Sequence, residues 1–240
     1  MDLSWVDDYD PDDVIAALAS QLTDERRGRI EAVLASRLGS LTVVLENLHD
    51  PHNGAAVLRS VEGFGLSQLH VVEQAEPFRF SDKVTQGCEK WIDVRRHPDF
   101  GGAAAELHAR GFSLHAAVPG ATTPLGALDV SRPTALVFGN EHAGLTGSAQ
   151  AACDGTFAIP MAGFTQSFNL SVSAAICVGD AAARRRAALG VPGDLPPAER
   201  ARLRARWYVQ SLDPRAARGI VTRAVEKRTR RDVGVEPRPQ

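Results

Sequence analysis

The chain has 240 residues, 44% of them apolar and 23% charged, with a formal net charge of −2. That composition is ordinary for a soluble globular protein and is long enough for one large domain with helical extensions. The acidic opening MDLSWVDDYDPDD has no secretory-leader pattern, and no apolar run is long enough to span a bilayer. The three cysteines, Cys88, Cys153 and Cys177, are scattered and form no CxxC pair, which excludes a disulfide framework and a cysteine zinc site and points to a reducing, cytoplasmic setting.

The charge is unevenly spread. Residues 184–240 carry 15 Lys+Arg and 6 Asp+Glu, whereas the remaining 183 carry 12 and 23. A basic tail on an acidic body is the electrostatic footprint of a polyanion partner, or else a solvated arginine-rich surface helix.

In chain order, Asp10-Pro11 caps a helix with Val14, Ile15, Leu18 and Leu22 on one face, and Thr23 caps a second that buries Ile30, Val33, Leu34 and Leu38. The run 41–47 reads as a buried strand, 53–64 as a helix and 68–73 as a strand. A short helix through Val84 and Cys88 leads to a strand at 91–96. A helix at 99–110 precedes strands at 113–118, 133–139 and 155–161, and a long apolar helix covers 169–189. Strands alternating with helices define an α/β fold with a parallel, doubly wound sheet. The segment VPGDLPP (191–197) reads as a linker to two arginine-rich helices at 197–211 and 214–231. The organisation is therefore a leader and helices at 1–40, a catalytic α/β domain at 41–190, and a basic helical extension at 191–240.

Open α/β sheets bind ligands beyond the carboxyl ends of their strands. Three loops there carry polar residues that packing alone does not require. The first, ENLHDPHNGAAVLRS, holds Asn53, a good helix N-cap, and Arg59 among small and apolar neighbours. Its His49 and His52 lack a third ligand at useful spacing, so no metal is expected. In the second, LVFGNEHAGLT, glycines allow close approach of backbone to ligand around Gly139 and Glu141. The third, IPMAGFTQSFNLSVSAA, sets Ser167 and Asn169 at the start of the long helix, as caps or as donors for a polar ligand. Neither a GxGxxG turn after a strand nor a GxxxxGK[ST] loop is present, so the dinucleotide fingerprint and the P-loop are both excluded.

Together, in this order and spacing, the three loops resemble the SpoU family of RNA ribose methyltransferases, within the SPOUT superfamily. The likeness covers about residues 41–187, and the flanking helices and the QGCEKW segment (86–91) are similar to those of the family's tRNA enzymes. The resemblance implies a deep trefoil knot, a homodimer, S-adenosylmethionine as methyl donor without a metal, and tRNA as partner. It further implies transfer to a guanosine 2′-hydroxyl, that of the D-loop guanosine at tRNA position 18; the alternatives are a ribosomal RNA methyltransferase or a non-catalytic RNA-binding protein of the same fold. By motif position, Ala117, Gly139, Ile159 and Phe168 would line the cofactor site, and Asn53, Arg59, Glu141, Ser167 and Asn169 would form the catalytic set. Arg59 would act either as the base or as an electrostatic stabiliser; arginine is almost never deprotonated in proteins. Two positions depart from the family pattern: Phe168 stands where leucine is usual, and Gly54-Ala55 where a larger apolar residue is usual. The acidic leader (1–20) has no counterpart in the resemblance.

Overall fold

A computed structural model describes residues 3–73 and 79–232; Met1 and Asp2 of the leader, residues 74–78, and residues 233–240 of the basic extension lie outside the described residues. The chain divides into two compact units, Ser36–Asp194 and the combination of Met1–Ala35 with Leu195–Gln240.

The first helices are α1 (Pro11–Leu18) and α2 (Asp24–Ala35). Both begin where their caps dictate. Asp10 Oδ1 accepts from the Asp12 N–H at 2.8 Å, with Pro11 in the first turn, and Thr23 Oγ1 accepts from the Arg26 N–H at 3.1 Å. The α/β unit then runs β1 (Leu41–Glu46), α3 (Pro51–Gly63), β2 (Gln68–Val72), α4 (Asp82–Thr85), β3 (Asp93–His97), α5 (Phe100–Ala109), β4 (Ser113–Ala117), β5 (Thr134–Phe138), α6 (Gly147–Ala151), β6 (Gly155–Phe157) and α7 (Leu170–Leu189). Two more helices follow, α8 (Pro197–Gln210) and α9 (Pro214–Asp232).

The six strands form one parallel sheet in the order β3-β2-β1-β5-β4-β6. β1, β2 and β5 are buried along their whole length, which is why they read as apolar runs. Side chains alternate between faces. Val43 and Leu45 join a core with Val57, Leu58, Val61, Ala174, Cys177 and Ala181 from α3 and α7; Val44 joins the opposite core with Phe100, Ala103 and Leu107 from α5. The chain leaves β1 toward β2 on one side and β5 toward β6 on the other, so the paired β1 and β5 mark the switch point where such sheets bind ligands. From β6, at the sheet edge, the chain returns to the middle, where α7 packs on α3, β1 and β5. That return fits the trefoil knot the resemblance implies.

Three boundaries differ from the sequence reading. Helix α3 is capped not by Asn53 but by Asp50, whose Oδ1 accepts from the His52 N–H at 2.8 Å with Pro51 at the first helical position. β3 starts late because Cys88–Trp91 closes a 3₁₀ turn after Gly87, which sits at φ 85°. β6 stops at Phe157 because the chain turns to pair with the 123–125 loop, the Ala158 N–H donating to Thr123 O at 2.9 Å and Ala158 O accepting from the Leu125 N–H at 2.8 Å. The small pair Gly54-Ala55 does not impair α3, in which both residues are buried.

In the other unit, α1 packs on α8 and α9, and α2 on α8. Val14, Leu18, Ile30, Leu34, Leu203, Val209 and Val221 are buried. The acidic leader and the basic extension pair with each other. Arg206 meets Asp7, Arg228 meets Asp13, and Arg200 and Arg204 both reach Glu31 at 3.2 and 2.7 Å. Tyr9 Oη and Thr222 Oγ1 are 3.1 Å apart. The two segments of this unit carry 15 Lys+Arg and 14 Asp+Glu, so the tail's charge excess is largely cancelled where it folds. Trp207 and Tyr208 are buried within the single chain at 3% and 5% exposure.

Candidate active site at the strand ends

Past the carboxyl ends of β4, β5 and β6 lies a pocket of about 300 Å³. Ala117, Gly139, Ile159 and Phe168 all line it, together with Glu141, Ser167, Gln166 and His142. Sites of this size hold small molecules, with apolar walls and a few placed polar groups.

Each wall has a local cause. The β5 loop closes on itself: Asn140 and Gly144 exchange backbone hydrogen bonds at 3.0 and 2.9 Å, and Gly144 adopts φ 69°. A β-carbon on Gly139 would lie 2.3 Å from Gly144 C and Leu145 N, so no other residue fits there. The Asn140 side chain fastens the loop from inside. Its Oδ1 accepts from the His142 and Ala143 N–H groups at 2.9 and 3.0 Å, and its Nδ2 donates to Asn47 O at 2.7 Å. Asn47 itself is held at φ 50°. At the far end of the loop, the buried carboxylate of Glu46 accepts from the Thr146 N–H and hydroxyl.

Beside the pocket, the polar residues of all three loops join. Because Asp50 takes over capping, the Asn53 side chain is free to bridge. Its Nδ2 donates to Glu141 Oε1 at 3.2 Å, and its Oδ1 accepts from Asn169 Nδ2 at 3.1 Å. Asn169 does double duty: its Oδ1 caps α7 through the Ser171 N–H at 2.8 Å. The Glu141 carboxylate also accepts from the His49 and Asp50 N–H groups at 3.1 and 3.3 Å. Partial burial opposes its ionisation, but the backbone donors and Asn53 outweigh that and hold it below the usual carboxylate range. Ser167 is exposed on the pocket wall.

Arg59 stands apart. It is exposed on α3, donates to Val84 O at 3.1 Å, and is not among the pocket-lining residues. The structure thus brings together eight of the nine candidate residues, six on the pocket wall and Asn53 and Asn169 bonded to that set. The sequence reading missed Glu46 and Thr146, which lie off the pocket wall, and Asn140, which lies on it; all three hold the loops. Among the described residues, no group of three or more His, Cys, Asp or Glu is placed to hold a metal ion, and no helix is long and apolar enough to cross a membrane.

These strand-end loops fall inside the match to the SpoU rRNA methylase family, which spans residues 40–179. The chain belongs to that family. It is 39% identical over 164 residues to a tRNA (guanosine(18)-2′-O)-methyltransferase of Thermus thermophilus, covering 68% of this chain and 84% of the relative. In structure it is similar to the TrmH/SpoU tRNA modifying enzyme of A. aeolicus, with a TM-score of 0.70, 26% identity, and coverage of 79% of this chain and 98% of that one. It is also similar to the SpoU methyltransferase AviRb of Streptomyces viridochromogenes in complex with the cofactor AdoMet, with a TM-score of 0.57, 25% identity, and coverage of 64% and 62%.

Proposed function

We propose that this chain is an S-adenosylmethionine-dependent tRNA 2′-O-methyltransferase that acts on the D-loop guanosine at position 18, working in the cytoplasm as a homodimer. The observation that carries the reading is the bonded series Glu141–Asn53–Asn169, one residue from each strand-end loop, beside a pocket lined by Ala117, Gly139, Ile159 and Phe168. The specific nucleotide follows the name of the Thermus thermophilus relative.

The pocket suits an adenosyl group: apolar side chains form part of its walls, and Gly139 lets the β5 loop close tightly beside it. When bound there, S-adenosylmethionine supplies a methyl group on a sulfonium whose departure leaves a neutral thioether, so no metal is needed. The residues' own work is alignment, which can be worth about 7–11 kcal/mol in an in-line displacement. Asn53, Glu141 and Asn169 fix one another and so fix the floor on which the ribose sits, with Ser167 on the adjoining wall. Arg59 acts by pairing with an RNA phosphate next to the reacting 2′-oxygen, whose proton passes to solvent as the methyl group is gained. Its outward position on α3 supports a role met from the RNA side.

Dimerisation is supported by exposed apolar residues at the start of α7: Val172 and Ile176, one helical turn apart at 45% and 38% exposure, with Phe168 just ahead of the helix at 42%. The test of function is tritiated methyl transfer from S-adenosylmethionine to unmodified tRNA and to ribosomal RNA, followed by nuclease mapping of the labelled nucleotide. Label in a tRNA guanosine is the expected result; label confined to ribosomal RNA would overturn the assignment.

A further inference from the structure

Two histidines stand over the bonded polar series and have no part in the chemistry described above. His49 precedes α3, and His142 lies in the β5 loop on the pocket wall. Their rings meet edge to face, with centroids 5.8 Å apart and planes at 60°. Both residues are exposed.

Their backbones are fixed from below. The His49 N–H donates to Glu141 Oε2 at 3.1 Å, and the His142 N–H donates to Asn140 Oδ1 at 2.9 Å. Two exposed rings on clamped backbone lose little freedom when something flat stacks on them. Core packing does not explain them, since neither is buried. Metal binding does not either, since no third ligand joins them.

We propose that His49 and His142 form a stacking ledge for a nucleobase of the substrate RNA, that of the target nucleotide or its immediate neighbour, with the base on the face of one ring and the other ring bracing it edge-on. This rests on the methyltransferase reading and deepens it: the pocket takes the methyl donor, and the ledge takes the base. Every base has a π-face, so aromatic stacking grips RNA without demanding a sequence. A ledge bonded through Glu141 to Asn53 holds the ribose of the stacked base close to the bonded polar series.

The experiment compares the wild-type protein with three double variants. One carries His49→Ala and His142→Ala, one carries His49→Phe and His142→Phe, and one carries His49→Gln and His142→Gln. Steady-state methyl transfer gives KM for RNA and kcat, and calorimetry gives Kd for S-adenosylmethionine. The Ala pair should raise KM for tRNA about ten-fold or more, a larger change than any in Kd for S-adenosylmethionine, whose pocket His142 borders. The Phe pair should recover KM to within about three-fold of wild type, and the Gln pair should not. Unchanged KM in the Ala pair overturns the ledge. So does rescue by Gln but not Phe, which would make the contact a hydrogen bond to phosphate or base edge. A loss of affinity for S-adenosylmethionine as large as that for tRNA overturns it too, by making the rings mainly part of the cofactor loop. If wild-type protein methylates ribosomal RNA instead of tRNA, the substrate reading fails separately, and the same comparison of variants is made on that RNA.

Discussion

The Glu46 carboxylate, fully buried at the end of β1, accepts two hydrogen bonds from one residue, Thr146: the N–H at 2.9 Å and the hydroxyl at 2.7 Å. Thr146 in turn caps α6, its Oγ1 accepting from the Ala149 N–H at 3.1 Å. The end of the pocket loop is therefore tied to the centre of the sheet. Glu46→Gln keeps one acceptor but turns an NH₂ toward the second donor. It should lower stability by about 1–3 kcal/mol and weaken S-adenosylmethionine binding. Urea unfolding and calorimetry measure both; an unchanged unfolding midpoint would mean that the loop holds without this tie.

Gly139 offers a sharper steric test. Gly139→Ala drives a methyl group into Gly144 and Leu145 backbone at 2.3 Å, so cofactor binding should fall by more than ten-fold, a loss of about 1.4 kcal/mol or more. Gly147→Ala, where nothing lies within 4 Å, should bind as wild type does. Calorimetry on the two variants compares them directly.

The Asn53 bridge depends on one donor and one acceptor. Asn53→Asp keeps the acceptor for Asn169 but sets a second carboxylate against Glu141. Displacement of the loops should cost about 10²-fold in kcat, with S-adenosylmethionine affinity changed less than about three-fold. Adding Glu141→Gln restores a donor–acceptor pair with the polarity reversed and should recover part of kcat. If the double variant is no better than Asn53→Asp alone, the bridge is not what positions the site.

A pH effect arises away from the site, on the neighbouring strands β2 and β3. His70 Nδ1 and His97 Nε2 are 2.9 Å apart in a stacked, buried pair. Burial, with the neighbouring His97 adding to it, pushes the His70 imidazole down from 6.5 to about 3. A folded-state value below the unfolded one means that the unfolded chain takes up the proton first. Stability from this group is complete above pH 6.5 and declines as pH falls toward 3. At pH 5 the loss is about 2 kcal/mol. Between pH 7.5 and 5 the urea midpoint of wild type should fall more steeply than that of His70→Phe; parallel curves would show that His70 does not set the slope.

For the basic extension, the structure separates two groups of cations. Arg206 and Arg228 hold leader carboxylates, whereas Arg215 and Arg223 are exposed two helical turns apart on α9. Arg215→Gln with Arg223→Gln should weaken tRNA binding and reduce the slope of log affinity against log salt by about 1.4–1.8, two phosphates' worth. Arg206→Gln with Arg228→Gln should act mainly on stability. Equal slopes in the first pair and wild type would return α9 to a solvated surface.

The sheet was legible because β1, β2 and β5 are buried, largely apolar runs between helical patterns; the other three strands overlap the segments read as strands, β3 and β6 with shifted bounds. The helix start at Asp50-Pro51 carries the same signal that located α1 at Asp10-Pro11, but Asn53, another good cap three residues on, competed with it. Choosing Asn53 hid its bridging role, since a capping side chain is already spent. Glu46 and Asn140 were invisible for a different reason: each acts across about a hundred residues of chain, on Thr146 and Asn47 respectively, and spacing along a sequence carries no trace of such pairs. The pairing of leader and tail was hidden likewise. Two opposite charge excesses at the ends of a sequence look like separate devices until folding brings them together.

That pairing has a consequence for how the protein is made. α1 and α2 emerge from the ribosome with Val14, Leu18, Ile30 and Leu34 exposed, and the helices that cover them, α8 and α9, lie beyond the intervening Ser36–Asp194 unit. At a synthesis rate of about 5–20 residues per second, that interval lasts roughly 10–30 s. Throughout it the leader waits with bare apolar faces flanked by carboxylates. Asp7 and Asp13 wait through that interval without Arg206 and Arg228, their partners in the folded unit.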